Sequence, residues 1–219
     1  MMILFARKGP SKMRKPGFFW IHIVLWGMLV FEAGPAAIAA QTGQDAARIP
    51  LKIEKVLDGR AVVLKGGQKA VLIGVEGLRG NDPRWNLWHL PPCDLEPQKC
   101  ALFAGRSRAR VKSALGSAET LVEYEEAYDS MGHLNAAGEL LVYLWIPADR
   151  LAPPGRNLAF TMPERTRKTL GGKTFFLLNA LLIREGYSFV YAKYASKYGY
   201  EFGALQKLAQ SDKKGIWAF

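Results

Sequence analysis

The stretch that decides the fold is Ile53–Arg79, IEKVLDGRAVVLKGGQKAVLIGVEGLR. Aliphatic and β-branched residues dominate it, and such side chains fit the pleated surface of a β-sheet. The Asp-Gly pair at 58–59 indicates a bend, and the two glycines of Lys65–Gln68 (KGGQ) are typical of a β-hairpin turn. The returning segment, Ala70–Val75, is almost wholly apolar, which predicts a strand buried on both faces. Gly74 within it indicates a bulge or a close approach of another element.

Downstream of this hairpin, the sequence predicts more strands and three helices. Apolar residues at helical spacing predict helices over Pro97–Leu115, about Phe175–Glu185 and about Tyr198–Ser211. Thr120–Glu125 and Leu140–Ile146 have the composition of strands. Strands first, one helix inserted between them and further helices at the end predict an α+β fold.

The composition fits one well-packed domain, assigned to residues 51–219, with a basic surface. The chain has 219 residues, 49% of them apolar, and a formal net charge of +11. Removal of residues 1–39 would take away five basic residues and one acidic residue and leave a net charge of +7. A basic surface suits nucleic acid or an anionic envelope polymer as a partner, although it can equally serve solubility alone.

The N-terminus has the pattern of a secretory signal peptide over residues 1–39. A basic segment precedes an apolar run at 18–31, and residues 37–39 (AIA) offer a cleavage site between small residues. Cleavage would give a secreted or periplasmic protein without a membrane span, beginning with a flexible lead-in at 40–50. The alternative is an uncleaved membrane anchor formed by residues 18–40.

The two cysteines, Cys93 and Cys100, both lie in the predicted exported part. A pair of cysteines in an exported chain predicts a disulfide. The three histidines, His22, His89 and His133, are not at the spacing of zinc ligands. The sequence therefore assigns no metal site to cysteine or histidine.

Two groups of residues are candidates for ligand binding. The proline-rich segment at 80–99 carries Trp85 and Trp88, which either stack on a ligand or pack over the end of the fold. Arg106 and Arg110 lie on the polar face of the first predicted helix and are candidates to bind phosphate. The alternative for that basic face, which also holds Arg108 and Lys112, is contact with solvent alone.

Several stretches resemble the staphylococcal nuclease (thermonuclease-like) family. Residues 56–62 (VLDGRAV) are similar to its V-x-D-G-x-x-V strand and turn, and residues 70–76 (AVLIGVE) to its V-x-L-I-G-V strand. Residues 138–145 (GELLVYLW) are similar to its GR-LLAYVW strand, residues 179–187 (NALLIREGY) to its VN-x-x-LV-x-x-GYA helix, and residues 215–217 to its closing G-(I/L)-W. Each motif alone is weak, but their shared order makes the assignment fairly specific.

The resemblance implies an OB-type barrel of five strands with about three helices. The family is usually brief in the segment that corresponds to residues 148–170, which is therefore interpreted as an insertion. Its prolines and basic residues leave two interpretations, a basic surface flap or a disordered arm.

The resemblance also implies where a family active site would lie. Catalysis in this family needs oxygen ligands for calcium, a carboxylate that activates water, and arginines that bind the phosphate. Asp58 keeps one carboxylate of the family's turn, but Gly77 replaces a threonine ligand. The six positions that correspond to the family site are Arg60, Val71, Glu76, Gly77, Arg79 and Glu139.

Among these six positions only Glu76 keeps a carboxylate that suits its role. Arg60 stands where the family has an acidic metal ligand, and Arg79 where it has the catalytic glutamate. Val71 and Glu139 stand at the two arginine positions. The family site is therefore predicted to be degenerate, with no residue assigned to catalysis and no calcium or other cofactor.

Three functions are compatible with the sequence. The first is an exported, non-catalytic module that binds nucleic acid, another anionic polymer or a protein. The second is an active nuclease with a site rebuilt from Glu76, Glu139, Arg60 and Arg79. The third is a membrane-tethered envelope scaffold, which requires the N-terminal segment to remain uncleaved. The sequence leaves the oligomeric state open.

Overall fold

The strands of the protein form one large mixed sheet and one small sheet. The structure is a computed structural model, which describes residues 49–79, 96–116, 120–151 and 161–218. The described strands are β1 (Ile49–Leu51), β2 (Ile53–Val56), β3 (Ala61–Leu64), β4 (Lys69–Leu72), β5 (Val75–Glu76), β6 (Thr120–Tyr124), β7 (Leu140–Pro147), β8 (Arg167–Leu170), β9 (Lys173–Leu177) and β10 (Phe189–Val190).

The large sheet has the order β1-β6-β7-β4-β3-β2 and carries β9 and β8 as a branch from β7. β4 and β7 are parallel, whereas the other pairs in this sheet are antiparallel. β7 is the longest of these strands, with eight residues, and it pairs with β4 through Leu140–Val142 and with β9 through Trp145–Pro147. β10 and β5 form the small sheet.

The predicted α+β class is confirmed, but the strands of the predicted OB-type barrel of five strands do not close within the described residues. Their sheet is open, because the end strands β1 and β2 do not pair with each other. The sheet branches because β7 is long enough to pair with two strands, one near each of its ends.

Three helices accompany the sheet within the described ranges. α1 spans Pro97–Leu115, as predicted, with proline at its start and Gly116 after its last residue. α2 spans Leu178–Arg184 and α3 spans Gly199–Ser211. The prediction that α2 begins near Phe175 was wrong, because the aromatic residues before it belong to β9 and pair with β7.

The core lies between β7 and α2. The side chains of Leu141–Ile146 are almost fully buried, and so are those of Leu178–Ile183. Asn179 is the polar residue of this stretch of α2, and its side chain is hydrogen-bonded. Its Oδ1 accepts from the Leu144 N–H at 3.2 Å, and its Nδ2 donates to the Ile73 carbonyl at 2.9 Å. Asn179 therefore joins α2 to β7 and to the residue that follows β4, without leaving a buried amide unpaired.

The close approach predicted at Gly74 is confirmed. Gly74 has a φ of +75°, and a Cβ at this position would lie 2.6 Å from Cε2 of Phe202 on α3. Glycine is therefore required for the backbone conformation and for the contact with α3.

The lead-in predicted at 40–50 is wrong for its last two residues, because Ile49–Leu51 forms β1 and pairs with β6. Residues 1–48 lie outside the described ranges, as does the predicted signal peptide. None of the helices in the described ranges has the length and hydropathy of a membrane-spanning segment.

The segment 148–170, interpreted as an insertion, is described at both of its ends. Ala148–Arg150 and Glu164–Thr166 are short 3-10 helices, and the last four residues form β8. β8 pairs with β9 and so extends the large sheet.

Candidate functional site

The turn between β2 and β3 is fixed by Asp58. Its Oδ1 accepts hydrogen bonds from the backbone N–H groups of Arg60 and Ala61, both at 2.8 Å. Gly59 lies against α1, where an added Cβ would be 2.0 Å from Oγ of Ser107. Asp58 therefore caps the turn that places Arg60, and Gly59 lets the turn contact α1.

Glu76 lies at the end of β5 with an arginine on either side. Its Oε1 is 2.7 Å from Nε of Arg60, and its Oε2 is 3.7 Å from Nη2 of Arg79. The backbone N–H of Gly77 also donates to Oε1 at 3.2 Å. The Glu76 side chain is 1% exposed, so these contacts replace water around a buried carboxylate. We call Arg60, Glu76 and Arg79 the Glu76 cluster.

Burial is the largest influence on the pKa of Glu76. It raises the pKa of the carboxyl group, while the charges of Arg60 and Arg79 and the Gly77 hydrogen bond lower it by less. The net shift is upward from the ordinary value of 4.5. The two arginines therefore hold the carboxylate but do not fully offset its loss of hydration.

Glu139 has cationic and amide partners of its own. Its Oε1 lies 2.5 Å from Nζ of Lys69, and its Oε2 accepts from Nδ2 of Asn135 at 2.8 Å. Burial alone would raise its pKa, but the hydrogen bonds from Lys69 and Asn135, with the charges of Lys69 and Arg60, lower it below the ordinary value. Glu139 is therefore an anion held in an ion pair.

The register of the sheet explains which of the six family positions meet. Arg60, Glu76, Gly77 and Arg79 come together, whereas Val71 is buried in β4 between Ala61 of β3 and Leu141 of β7. The parallel pairing of β4 with β7 sets Ala70 beside Leu140, and the residues just before them, Lys69 and Glu139, form an ion pair. Arg60 acts electrostatically on both Glu76 and Glu139.

Of the candidate ligand-binding arginines, Arg110 is used within the fold. Its Nε and Nη2 donate to the two carboxylate oxygens of Glu185 at 2.6 and 2.8 Å. This hydrogen bonding, which outweighs the opposing effect of burial, raises the pKa of Arg110. Arg106 is exposed, with its guanidinium 5.4 Å from the ring centre of Phe103.

Other sequence predictions fall wholly or partly outside the described residues. Trp85, Trp88 and Cys93 are not among the described residues. Cys100 is buried in α1. The Cys93–Cys100 disulfide therefore stays a prediction.

One buried charged cluster was missed by the sequence reasoning. Glu123 of β6 is 3% exposed at its side chain, and its oxygens lie 2.6 Å from Nζ of Lys168 and 2.6 Å from Nζ of Lys197. They also accept from Trp145 Nε1 at 2.8 Å and from the Tyr198 hydroxyl at 3.0 Å. We call these five residues the Glu123 cluster. Its one sequence signal is a glutamate within an apolar strand, Thr120–Tyr124.

The pKa of Glu123 is shifted in the opposite direction to that of Glu76. Burial would raise its pKa, but the hydrogen bonds and charges of Lys168 and Lys197 outweigh burial and lower it. A second buried glutamate, Glu125, accepts a hydrogen bond from the Tyr143 hydroxyl. Burial and this bond raise the pKa of Tyr143, so the phenol stays protonated.

The acidic groups described here are thus held by cations, hydroxyl groups or backbone N–H groups of the chain itself. Within the described ranges, no three His, Cys, Asp or Glu residues are grouped as a metal site would require. The family model for staphylococcal nuclease homologues matches residues 72–219, which is more than half of the chain. Glu76, Gly77, Arg79 and Glu139 lie within the matched part. No curated protein matches the chain.

Proposed function

The chain belongs to the staphylococcal nuclease homologue family, and we propose that it is a member without calcium-dependent nuclease activity that binds an anionic partner. The α+β fold with three described helices supports the OB-type architecture of this family. Fold alone does not carry activity, so the proposal depends on the residues at the family site.

The Arg60–Glu76 ion pair carries this proposal. Calcium takes six to eight oxygen ligands, commonly from carboxylates. At this site the retained carboxylate, Glu76, is buried and its Oε1 lies 2.7 Å from a guanidinium nitrogen. A cation of the protein therefore takes the place that a metal ligand has in the family, and it neutralises the carboxylate that is left.

The positions that would bind the phosphate support the same conclusion. Val71 is apolar and buried, and Glu139 is an anion that would repel a phosphate. Loss of one donor to the charge of a transition state typically lowers a rate by about 10²–10³. Such losses are not additive, but loss of both arginines together with the metal removes the machinery as a unit.

The binding half of the proposal rests on charge. The chain has a net charge of +11, which removal of residues 1–39 would reduce to +7, and the partner is nucleic acid or an anionic envelope polymer. Binding through phosphates releases counterions, so the affinity should fall steeply as salt concentration rises.

The first experiment measures cleavage by the purified protein. Single-stranded DNA, duplex DNA and RNA are incubated with the wild type in calcium and, separately, with a chelator. We expect no chelator-sensitive cleavage above background. The Arg60→Asp variant should not restore it, because Arg79, Val71 and Glu139 remain unsuited to the chemistry.

The Glu76→Gln variant controls for contamination in that assay. Cleavage that persists in this variant comes from a contaminant, because the substitution removes the one carboxylate that the six family positions retain in a suitable role. Cleavage by the wild type that both the chelator and Glu76→Gln abolish would contradict the proposal and favour a rebuilt nuclease site.

We further propose that the protein is exported after cleavage near Ala40. The support is the basic and apolar order of the N-terminal segment. N-terminal sequencing of protein from its host should find a start at or near Ala40. Full-length chain in washed membranes would instead support a membrane-tethered scaffold.

A further inference from the structure

A cavity of about 340 Å³ lies between β2 and the C-terminal part of α1. This volume falls within the range of small-molecule sites, which is about 300–1,000 Å³. None of its lining residues is one of the six family positions. The lining residues are Ile53, Glu54, Lys55, Val56, Arg108, Lys112, Leu115 and Gly116.

The charged part of the lining has more cations than anions. Lys55, Arg108 and Lys112 oppose a single carboxylate, that of Glu54. None of the three cations forms an ion pair with a residue of the described ranges, whereas Arg110 on the same helix is bound to Glu185. A fourth cation lies nearby, since Nη1 of Arg150 would be 3.7 Å from a Cβ on Gly116.

The negative end of the α1 dipole does not account for the positions of all these cations. Lys112 lies in the last turn of α1, where a positive charge favours the carbonyl end of the helix dipole. This effect fades beyond the last turn, so it does not account for Arg108 one turn earlier or for Lys55 on β2. Arg108 and Lys112 are four residues apart and therefore lie on the same face of the helix.

The uncharged part of the lining narrows the class of ligand. Ile53, Val56 and Leu115 are aliphatic, and the lining holds no aromatic side chain on which a nucleic acid base could stack. Glu54 can accept hydrogen bonds from hydroxyl groups but would repel a second anionic group. The cavity thus combines anion-binding cations, an aliphatic surface and one hydroxyl acceptor.

We propose that this cavity binds a phosphorylated sugar. Its phosphate is held by Arg108, Lys112 and Lys55, and a sugar hydroxyl donates to Glu54. This inference goes beyond the proposed function, because a sugar phosphate is a small anion rather than a nucleic acid or an envelope polymer. It does not depend on the loss of nuclease activity.

The test is calorimetric titration of the full chain with glucose 6-phosphate, inorganic phosphate and glucose. Glucose 6-phosphate should bind at least about tenfold more tightly than either of the other two, because it engages both the cations and Glu54. The double variant Arg108→Glu/Lys112→Glu should weaken its binding by more than about tenfold. Both side chains are exposed, and a thermal melt of the variant checks that it folds.

Two further variants make the test specific. Lys207→Glu on α3 is exposed and outside the cavity, reverses one charge, and should keep the affinity within about twofold. Arg108→Glu alone is compared with it for an equal change of charge. Glu54→Gln should reduce the preference for glucose 6-phosphate over inorganic phosphate.

The possible outcomes separate this inference from the proposed function. Equal weakening by Lys207→Glu and Arg108→Glu would mean binding by general charge and would overturn the cavity site. An oligothymidylate is titrated in the same way, and its binding without binding of glucose 6-phosphate would overturn the sugar phosphate and keep the proposed anionic partner. Failure of the wild type to bind any of these anions would overturn both.

Discussion

Glu76 and Glu123 are both buried glutamates with two cationic side chains beside them, yet their pKa values move in opposite directions. Glu123 has two lysine nitrogens at 2.6 Å and two neutral donors, and its pKa is lowered. Glu76 has one arginine at 2.7 Å and a second at 3.7 Å, and its pKa is raised. The hydrogen bonds and charges of Lys168 and Lys197 offset burial at Glu123, whereas the charges of Arg60 and Arg79 and one backbone hydrogen bond do not offset it at Glu76.

The difference separates an ion cluster that supports the fold from one that, under the function proposed above, replaces a family site. Glu123 joins β6 to β7, to β8 and to the residues just before α3, because each of its partners there forms a hydrogen bond or ion pair with it. In the proposed alignment with the family, Glu76 lies where the family holds a metal, and the arginines beside it stand at acidic positions. The arginines offset the burial of Glu76 only in part. We expect such an incomplete offset where arginines have replaced acidic residues around an existing carboxylate.

The largest effect is expected from Glu123→Ala. The variant leaves Lys168 and Lys197 without their carboxylate beside the buried Trp145. Removal of one partner of a buried ion pair destabilises a fold by about 3–5 kcal/mol, and the partial exposure of both lysines favours the lower end. Urea denaturation at pH 7 measures the loss. A loss smaller than that of Arg60→Ala would contradict the ranking of the two clusters.

A smaller effect is expected from Arg60→Ala, because Glu76 keeps Arg79 and can take up a proton. We expect a loss of about 1–2 kcal/mol in the free energy of unfolding. In the double variant Arg60→Ala/Glu76→Gln most of this loss should disappear, since the buried charge is gone as well. Additive losses in the cycle of single and double variants would show that Arg60 does not act through Glu76.

The smallest effect is the response to acid, and its sign differs between the clusters. The folded state raises the pKa of Glu76, so its contribution to stability increases as the pH falls from 7 toward 4.5. The folded state lowers the pKa of Glu123, so its contribution is present above 4.5 and is lost as the pH falls below that value. Urea midpoints measured from pH 7 to below 4.5 should therefore fall less steeply with acid in Glu123→Gln than in the wild type, and more steeply in Glu76→Gln. The same direction of change in both variants would contradict the comparison.

The parts of the fold with local signals were predictable from the sequence. Pro97 and Gly116 mark the two ends of α1, and the glycine pair of Lys65–Gln68 marks the hairpin between β3 and β4. β9 was missed because its apolar residues run directly into α2, and no glycine or proline separates the two.

The sequence predicted which residues would form the candidate site, but not which contacts they would make. The resemblance gave the six residues, but ion pairs depend on which strands and helices meet. Lys69 meets Glu139 through the parallel pairing of β4 with β7, and Arg110 meets Glu185 across 75 residues of chain. The Glu123 cluster likewise joins side chains from several elements, and neither spacing nor composition indicates such partners.

The parallel pairing of β4 with β7 also has a consequence for how the protein folds. Ala70 and Leu140 are register partners although 70 residues separate them, so a long loop must close before this pair forms. Contacts of such sequence separation slow folding. The turn of Arg60 can form early with its hairpin, but Glu139 can join it only after the loop has closed. A refolding chain should therefore gain its local hairpin first and the full set of family positions late, and any partner that requires both would bind only the completed fold.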